Sequence, residues 1–216
     1  MTSSPITKRM TPADRRDAIV AATVEVARRK GLASTTVRDV AAEMGTSSGL
    51  IHHYFGSMDE VLAAAFEVVA RQDLEVSTAL MQAAASPIDA LRVFFRTYTP
   101  ADKDWAFQLW LDAWAEAARR PAVQATSKRL NLEWQRLLER TIRAGVADGS
   151  FVCRDAGGAA WRILSLLDGL ALQVVAHGTT VTRGDAVAWS TAAAERELGL
   201  PAGSLGWRRI AAGSGG

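Results

Sequence analysis

The chain of 216 residues is poor in the side chains that most enzymes and secreted proteins depend on. It has a single cysteine, Cys153. One thiol cannot close an internal disulfide, which fits a reducing compartment, so a cytoplasmic location is expected. Only three histidines are present, His52, His53 and His177, and none lies beside a cysteine or acid at metal-ligand spacing. His52 and His53 are neighbours, and adjacent helical positions diverge. No metal and no other cofactor is expected. A glycine-rich phosphate loop after a strand is missing, as is any nucleophile–base set, so no catalytic residue is assigned and the chain is not read as an enzyme. No uninterrupted apolar run reaches the roughly 18 residues that span a bilayer, so a membrane partner is not expected. The N-terminus, with Lys8 and Arg9, lacks an apolar signal-peptide core. No strand-like alternation survives inspection, which leaves an all-α chain.

The most informative segment is 35–62. Thr35 and Thr36 can cap a helix, because a side-chain oxygen accepts from the free amides of the first turn. Val37, Val40, Ala41 and Met44 recur at helical spacing as one buried stripe. Gly45 stops that helix. Ser47 is placed to cap the next, with Ser48 and Gly49 in its first turn. Small residues let a helix N-terminus approach a groove, and its amides suit a phosphate. Ile51 and Phe55 should face the core. Ser57 with Glu60 three positions on forms a capping-box pattern for a third helix. A short helix, a glycine turn and a second short helix are the layout of a DNA-reading helix-turn-helix. Ser48, Leu50 and His53 would then face base edges, and Thr36, Ser47, His52 and Tyr54 phosphates, with Gly49 allowing close approach. Periodicity alone also admits three short helices of an ordinary bundle.

These residues resemble the DNA-binding domain of the TetR family of bacterial transcriptional regulators. The resemblance rests on Thr35-Thr36-Val37-Arg38-Asp39-Val40-Ala41, on Gly45, Ser47 and Gly49, and on His53-Tyr54-Phe55 with Ser57, Asp59, Val61 and Leu62. Upstream it includes Arg16, Ile19, Ala22 and Gly31, so it covers about residues 12–65. The family usually has lysine where this chain has Met58, and methionine cannot make the phosphate contact implied there. Net charge is only +2. Local cations must therefore supply any DNA footprint: Lys8, Arg9, Arg15, Arg16, Arg28, Arg29, Lys30 and Arg38.

The rest of the chain reads as six further helices. The expected organisation is a flexible arm at 1–11, a helix-turn-helix domain at 12–57, a ligand-binding and dimerisation domain at 58–199, and a flexible tail at 200–216. The boundary falls within a long fourth helix beginning at Met58, which suits a lever better than a linker. About nine helices are expected in all.

In the second domain, one helix from about Asp102 to Arg120 carries two stripes. Phe107, Trp110, Leu111 and Trp114 form one; Trp105, Leu109, Asp112 and Glu116 form the other. Tryptophan faces and a carboxylate could hold a cation. The simpler reading is a core stripe beside a solvated acidic edge. Trp134 and Trp161 are candidates to complete a cavity. Asp168, on a helix apolar nearly all round, is either a structural ion pair or a ligand anchor, since a buried carboxylate needs a partner. That helix needs cover on every side, and a second copy of the chain is the expected cover, through Leu167, Leu170, Val174, Val187 and Ala194.

The 97–178 region also resembles the regulatory domain of TetR members related to the choline-responsive betaine-pathway repressor. The matching residues are Phe107, Trp110-Leu111-Asp112-Ala113-Trp114, Gly149-Ser150-Phe151, and Leu167-Asp168-Gly169-Leu170 with Gln173. Together the two resemblances imply a homodimeric repressor that a small molecule, with a cation as one candidate, releases from a palindromic double-stranded DNA operator. The competing readings are a helical small-molecule-binding protein or enzyme using a Trp-lined cavity, and an activator.

Overall fold

The computed structural model describes residues 10–97, 104–178 and 180–206. Among these are nine helices and no strand: α1 Pro12–Lys30, α2 Val37–Glu43, α3 Ser48–Tyr54, α4 Met58–Gln82, α5 Pro87–Thr97, α6 Asp104–Ala117, α7 Pro121–Ala147, α8 Ala156–Val175 and α9 Arg183–Glu197. The signals in the sequence explain several of the ends. Thr11, Thr36 and Thr182 each cap a helix through a reciprocal box with Asp14, Asp39 and Asp185. The Asp155 side chain caps α8 by accepting from the Gly158 amide at 2.9 Å.

The chain divides into two compact units. Of the described residues, the first holds 10–69 and 112–127; the second holds 70–97, 104–111, 128–178 and 180–206. Three helices, α4, α6 and α7, cross from one unit to the other. The first unit is thus larger than the expected 12–57 domain, because the end of α6 and the start of α7 belong to it.

In the first unit, Ile19 and Val20 of α1, Val40 and Ala41 of α2, Ile51 of α3 with Phe55 just beyond its end, and Val61 of α4 form one buried cluster. Each fully buried side chain of this size contributes about 1.5–3 kcal/mol. That cluster, rather than surface ion pairs, holds the three short helices at their angles. In the second unit α8 packs along α9, and Ala160, Ile163, Leu164 and Leu167 form the inward stripe of α8.

By length and composition Ala156–His177 could cross a membrane; it is packed on α9, and Arg162 and Asp168 interrupt its apolar run. The expected flexible tail is corrected. The start of the supposed tail is structured. Gly203 and Leu205 donate their amides to Glu195 at 2.9 and 2.7 Å, and Leu205 is buried. The arm at 1–9, the tail beyond Gly206 and Asp102 lie outside the described residues.

Candidate nucleic-acid interface and effector site

The helix-turn-helix is closed by local bonds. Met44 ends α2, and Gly45 takes φ +61. Thr46 donates its amide to Ala41 O at 2.9 Å. Ser47 occupies the cap position of α3, yet its side chain makes no cap bond, contrary to expectation. The Leu50 amide instead donates to the Ser47 carbonyl at 3.1 Å, a tight first turn that leaves Ser47 exposed. The Thr36 hydroxyl is engaged with Asp39 Oδ2 at 2.8 Å, so a phosphate there must compete with the capping box. Gly49, His52 and His53 are exposed; Ser48, Leu50 and Tyr54 are partly so. His53 stands edge-on to Tyr54 with ring centroids 5.1 Å apart.

Several cations assigned to a DNA footprint have internal duties. Arg16 donates to the Tyr54 carbonyl at 3.0 Å and lies 3.9 Å over the Phe55 ring, bracing the end of α3 from α1. Arg29 pairs with Glu43, and Lys30 with Asp39. Lys30 and Thr36 together hold the Asp39 carboxyl down to about 2. Arg15 and Arg38 make no ion pair among the described residues. Lys8 and Arg9 lie outside them. Met58 packs against the core cluster rather than standing in solvent.

The acids of α6 expected to form a stripe are engaged within the chain. Asp112 Oδ2 accepts the Leu32 amide at 2.7 Å, just beyond the end of α1. Gly31 there has φ +82, and a Cβ at that position would sit 3.1 Å from the same oxygen. Asp112 is thus a latch on the α1–α2 corner. Glu116 accepts from Arg120 at 2.7 Å and Arg119 at 3.0 Å, and those bonds lower its pKa. A second carboxylate, Asp59 of α4, accepts the Ala122 amide in the first turn of α7 at 3.0 Å. Both latches lie within the first unit. Sequence spacing offers no signal for either, since their partners are 80 and 63 residues away.

The candidate cavity residues separate. Asp112 and Trp114 belong to the first unit, and Trp105, Leu109, Trp110, Trp134, Trp161 and Asp168 to the second. Leu109, Trp110 and Trp134 are buried, and Trp134 lies 6.2 Å from the Phe94 ring centroid. Trp161 is 38% exposed. It falls outside the inward stripe of α8 and therefore does not line an internal cavity. Asp168 has no ion-pair partner among the described residues, and burial raises its carboxyl to about 7. The interface set separates too. Leu167 and Ala194 are enclosed by their own chain and offer no surface, whereas Leu170, Val174 and Val187 remain partly exposed.

A helix-turn-helix ahead of further helices is the layout of a DNA-reading protein. Comparison with known proteins makes that class specific. The model for bacterial regulatory proteins of the tetR family matches residues 19–65, and that for the C-terminal domain of BetI-type transcriptional repressors matches residues 87–199. The chain belongs to the TetR family, with a BetI-type C-terminal domain, and members of this family are regulators rather than enzymes. The HTH-type transcriptional regulator BetI of Burkholderia thailandensis is 33% identical over 165 residues, 74% of this chain and 80% of that protein. BetI of Rhizobium meliloti is 30% identical over 61% of this chain, and the match spans 64% of that relative, just under two thirds. Among solved structures, a transcriptional regulator from Pseudomonas aeruginosa has a TM-score of 0.75 at 25% identity, covering 89% of this chain and 94% of its own. A regulator from Saccharomonospora viridis in complex with choline has a TM-score of 0.76 at 23% identity, covering 86% and 98%.

Proposed function

We propose that the chain acts in the cytoplasm as a homodimeric repressor, bound to a palindromic operator and released by a small cationic amine. The observation that carries the dimer is the surface of α8 and α9. Trp161 and Leu166 are each 38% exposed and Trp189 51%. From Leu170 to Val175 every residue of α8 is only partly covered. So much apolar surface on adjacent helices calls for a second protein surface. Two DNA-reading units would double the phosphate contacts, which matters when so few cations are unspent. Ser48, Leu50 and His53 read bases, while Ser47, His52 and Tyr54 hold phosphates.

The effector reading rests on Asp168, with Trp105, Trp110 and Trp134 as aromatic surfaces in the same unit. A half-buried carboxylate without a cation gains from one that a ligand brings. The choline held by the Saccharomonospora neighbour supports a quaternary ammonium compound. Release of DNA by ligand implies, by linkage, that DNA weakens ligand binding by the same factor. Thermal melting against choline, carboxylic acids and neutral aromatics tests the class. Stabilisation by choline is expected; stabilisation only by acids or neutral compounds would overturn the cation assignment.

A further inference from the structure

Helix α7 carries more positive charge than its own acids neutralise. Within the second unit it bears Lys128, Arg129, Arg136, Arg140 and Arg143 against Glu133 and Glu139. Both acids are already committed. Glu133 accepts two bonds from Arg71 of α4, each 3.1 Å, and lies 3.6 Å from Arg129. Glu139 accepts from Arg143 and from Gln135. These bonds hold both carboxyls below their ordinary range, Glu133 chiefly through Arg71 and Glu139 chiefly through Arg143. Arg136 and Arg140 are left with no acidic partner among the described residues.

Those two guanidiniums are four residues apart, hence neighbours on one face of the helix. They edge a groove of about 430 Å³ between α4 and α7, a volume that suits a small metabolite. Buried Leu74 gives it an apolar wall, and the bidentate Arg71–Glu133 pair ties α4 to α7 alongside. Glu75, also on α4, is its one uncommitted carboxylate. None of the tryptophans lines it.

We propose that this groove is a second ligand site, for a small organic monoanion: a carboxylate on an apolar body. The carboxylate takes charge-assisted bonds from Arg136 and Arg140, whose planar forks match it. The apolar body lies on Leu74. Glu75 repels a second negative charge, so a monocarboxylate binds better than a polyanion. The site is separate from the proposed cation site and does not depend on it.

The test is calorimetric titration of the full chain with benzoate, citrate and choline chloride. Benzoate is expected to bind saturably, once per protomer, and more tightly than citrate. Replacing both arginines (Arg136→Ala with Arg140→Ala) should weaken benzoate by about tenfold or more, the loss of charge-assisted bonds. Both residues are exposed, so the variant should keep its melting temperature. Glu75→Gln should strengthen benzoate. The proposal fails if benzoate gives no saturable heat, if the double variant binds it as the parent does, or if citrate binds more tightly. Absence of choline binding would count against the cationic effector alone and leave the benzoate result to stand by itself.

Discussion

The DNA-reading unit and the second unit differ in how far a single chain satisfies them. In the first, many polar groups find partners nearby or through fixed latches: Thr36 with Asp39, Lys30 with Asp39, Arg16 on Tyr54 and Phe55, Asp112 on Leu32, Asp59 Oδ2 on Ala122, while Arg15, Arg38 and the buried Asp59 Oδ1 are exceptions among the described residues. In the second, Trp161 and Trp189 stand exposed, α8 is half-covered beyond Leu170, Asp168 lacks a cation, and so do Arg136 and Arg140 an anion. A unit braced in this way within one chain can present a fixed reading surface. A unit left incomplete can take its remaining partners from outside, which under the proposed function are a second protomer and a ligand, and that is where regulation can enter.

The comparison breaks most severely at the interface. Leu170→Arg or Val174→Arg should abolish the dimer, because burying an unpaired charge costs about 3–5 kcal/mol, roughly a hundredfold or more in association. Operator binding should fall with it. Light scattering checks the state; a stable monomer for the parent chain at micromolar concentration would contradict the proposed cover. On the reading surface, His53→Ala should alter base preference, with a change of about 1–3 kcal/mol at the affected position. Tyr54→Phe should weaken all sequences about equally. Binding measured against a panel of operator variants separates the two, and an unchanged preference in His53→Ala would remove that residue from the readers.

The two regions were not equally legible. Capping threonines, the 37–44 stripe and Gly45 are local patterns, and the helices they imply are present with nearly the same ends. Ser47 escaped because the tight turn at Leu50 made a side-chain cap unnecessary. Asp112 and Glu116 read as an acidic stripe because helical spacing reports which residues share a face, not what lies opposite. Trp161, Leu167 and Ala194 were misplaced for the same reason. On a helix that is apolar all round, composition does not say which side its own chain covers. Arg136 and Arg140 did leave a trace, the charge excess of α7, whose meaning depended on knowing that Glu133 turns to Arg71.

Smaller effects sharpen the contrast. Asp112→Ala should lower the stability of the first unit by about 1–3 kcal/mol, since it strands the Leu32 amide. Asp112→Asn keeps an acceptor and should lose less; equal melting temperatures for Asp112→Ala and the parent would show that the latch carries no weight. Asp168 gives a pH signature of opposite sign to a paired acid. Below about pH 4 it is protonated folded and unfolded alike and contributes nothing. As pH rises toward 7 the folded chain keeps a proton that the unfolded chain has lost, so stability falls. Asp168→Asn should flatten that fall between about pH 4 and 7, and a bound cation should recover it in the parent. Met58→Lys should have the mildest effect. Its stem keeps the packing of Met58 while the ammonium reaches out, steepening the salt dependence of operator binding by roughly one unit per protomer.

Fluorescence anisotropy of a labelled duplex, drawn from the DNA upstream of the chain's own coding sequence, shows whether the chain is a dimeric reader of DNA that a cation releases. Two protomers per site should bind at moderate salt, and choline chloride should reverse the binding at concentrations where equal sodium chloride does not. Binding that choline and sodium chloride weaken equally, or no binding to that DNA at all, would contradict the account.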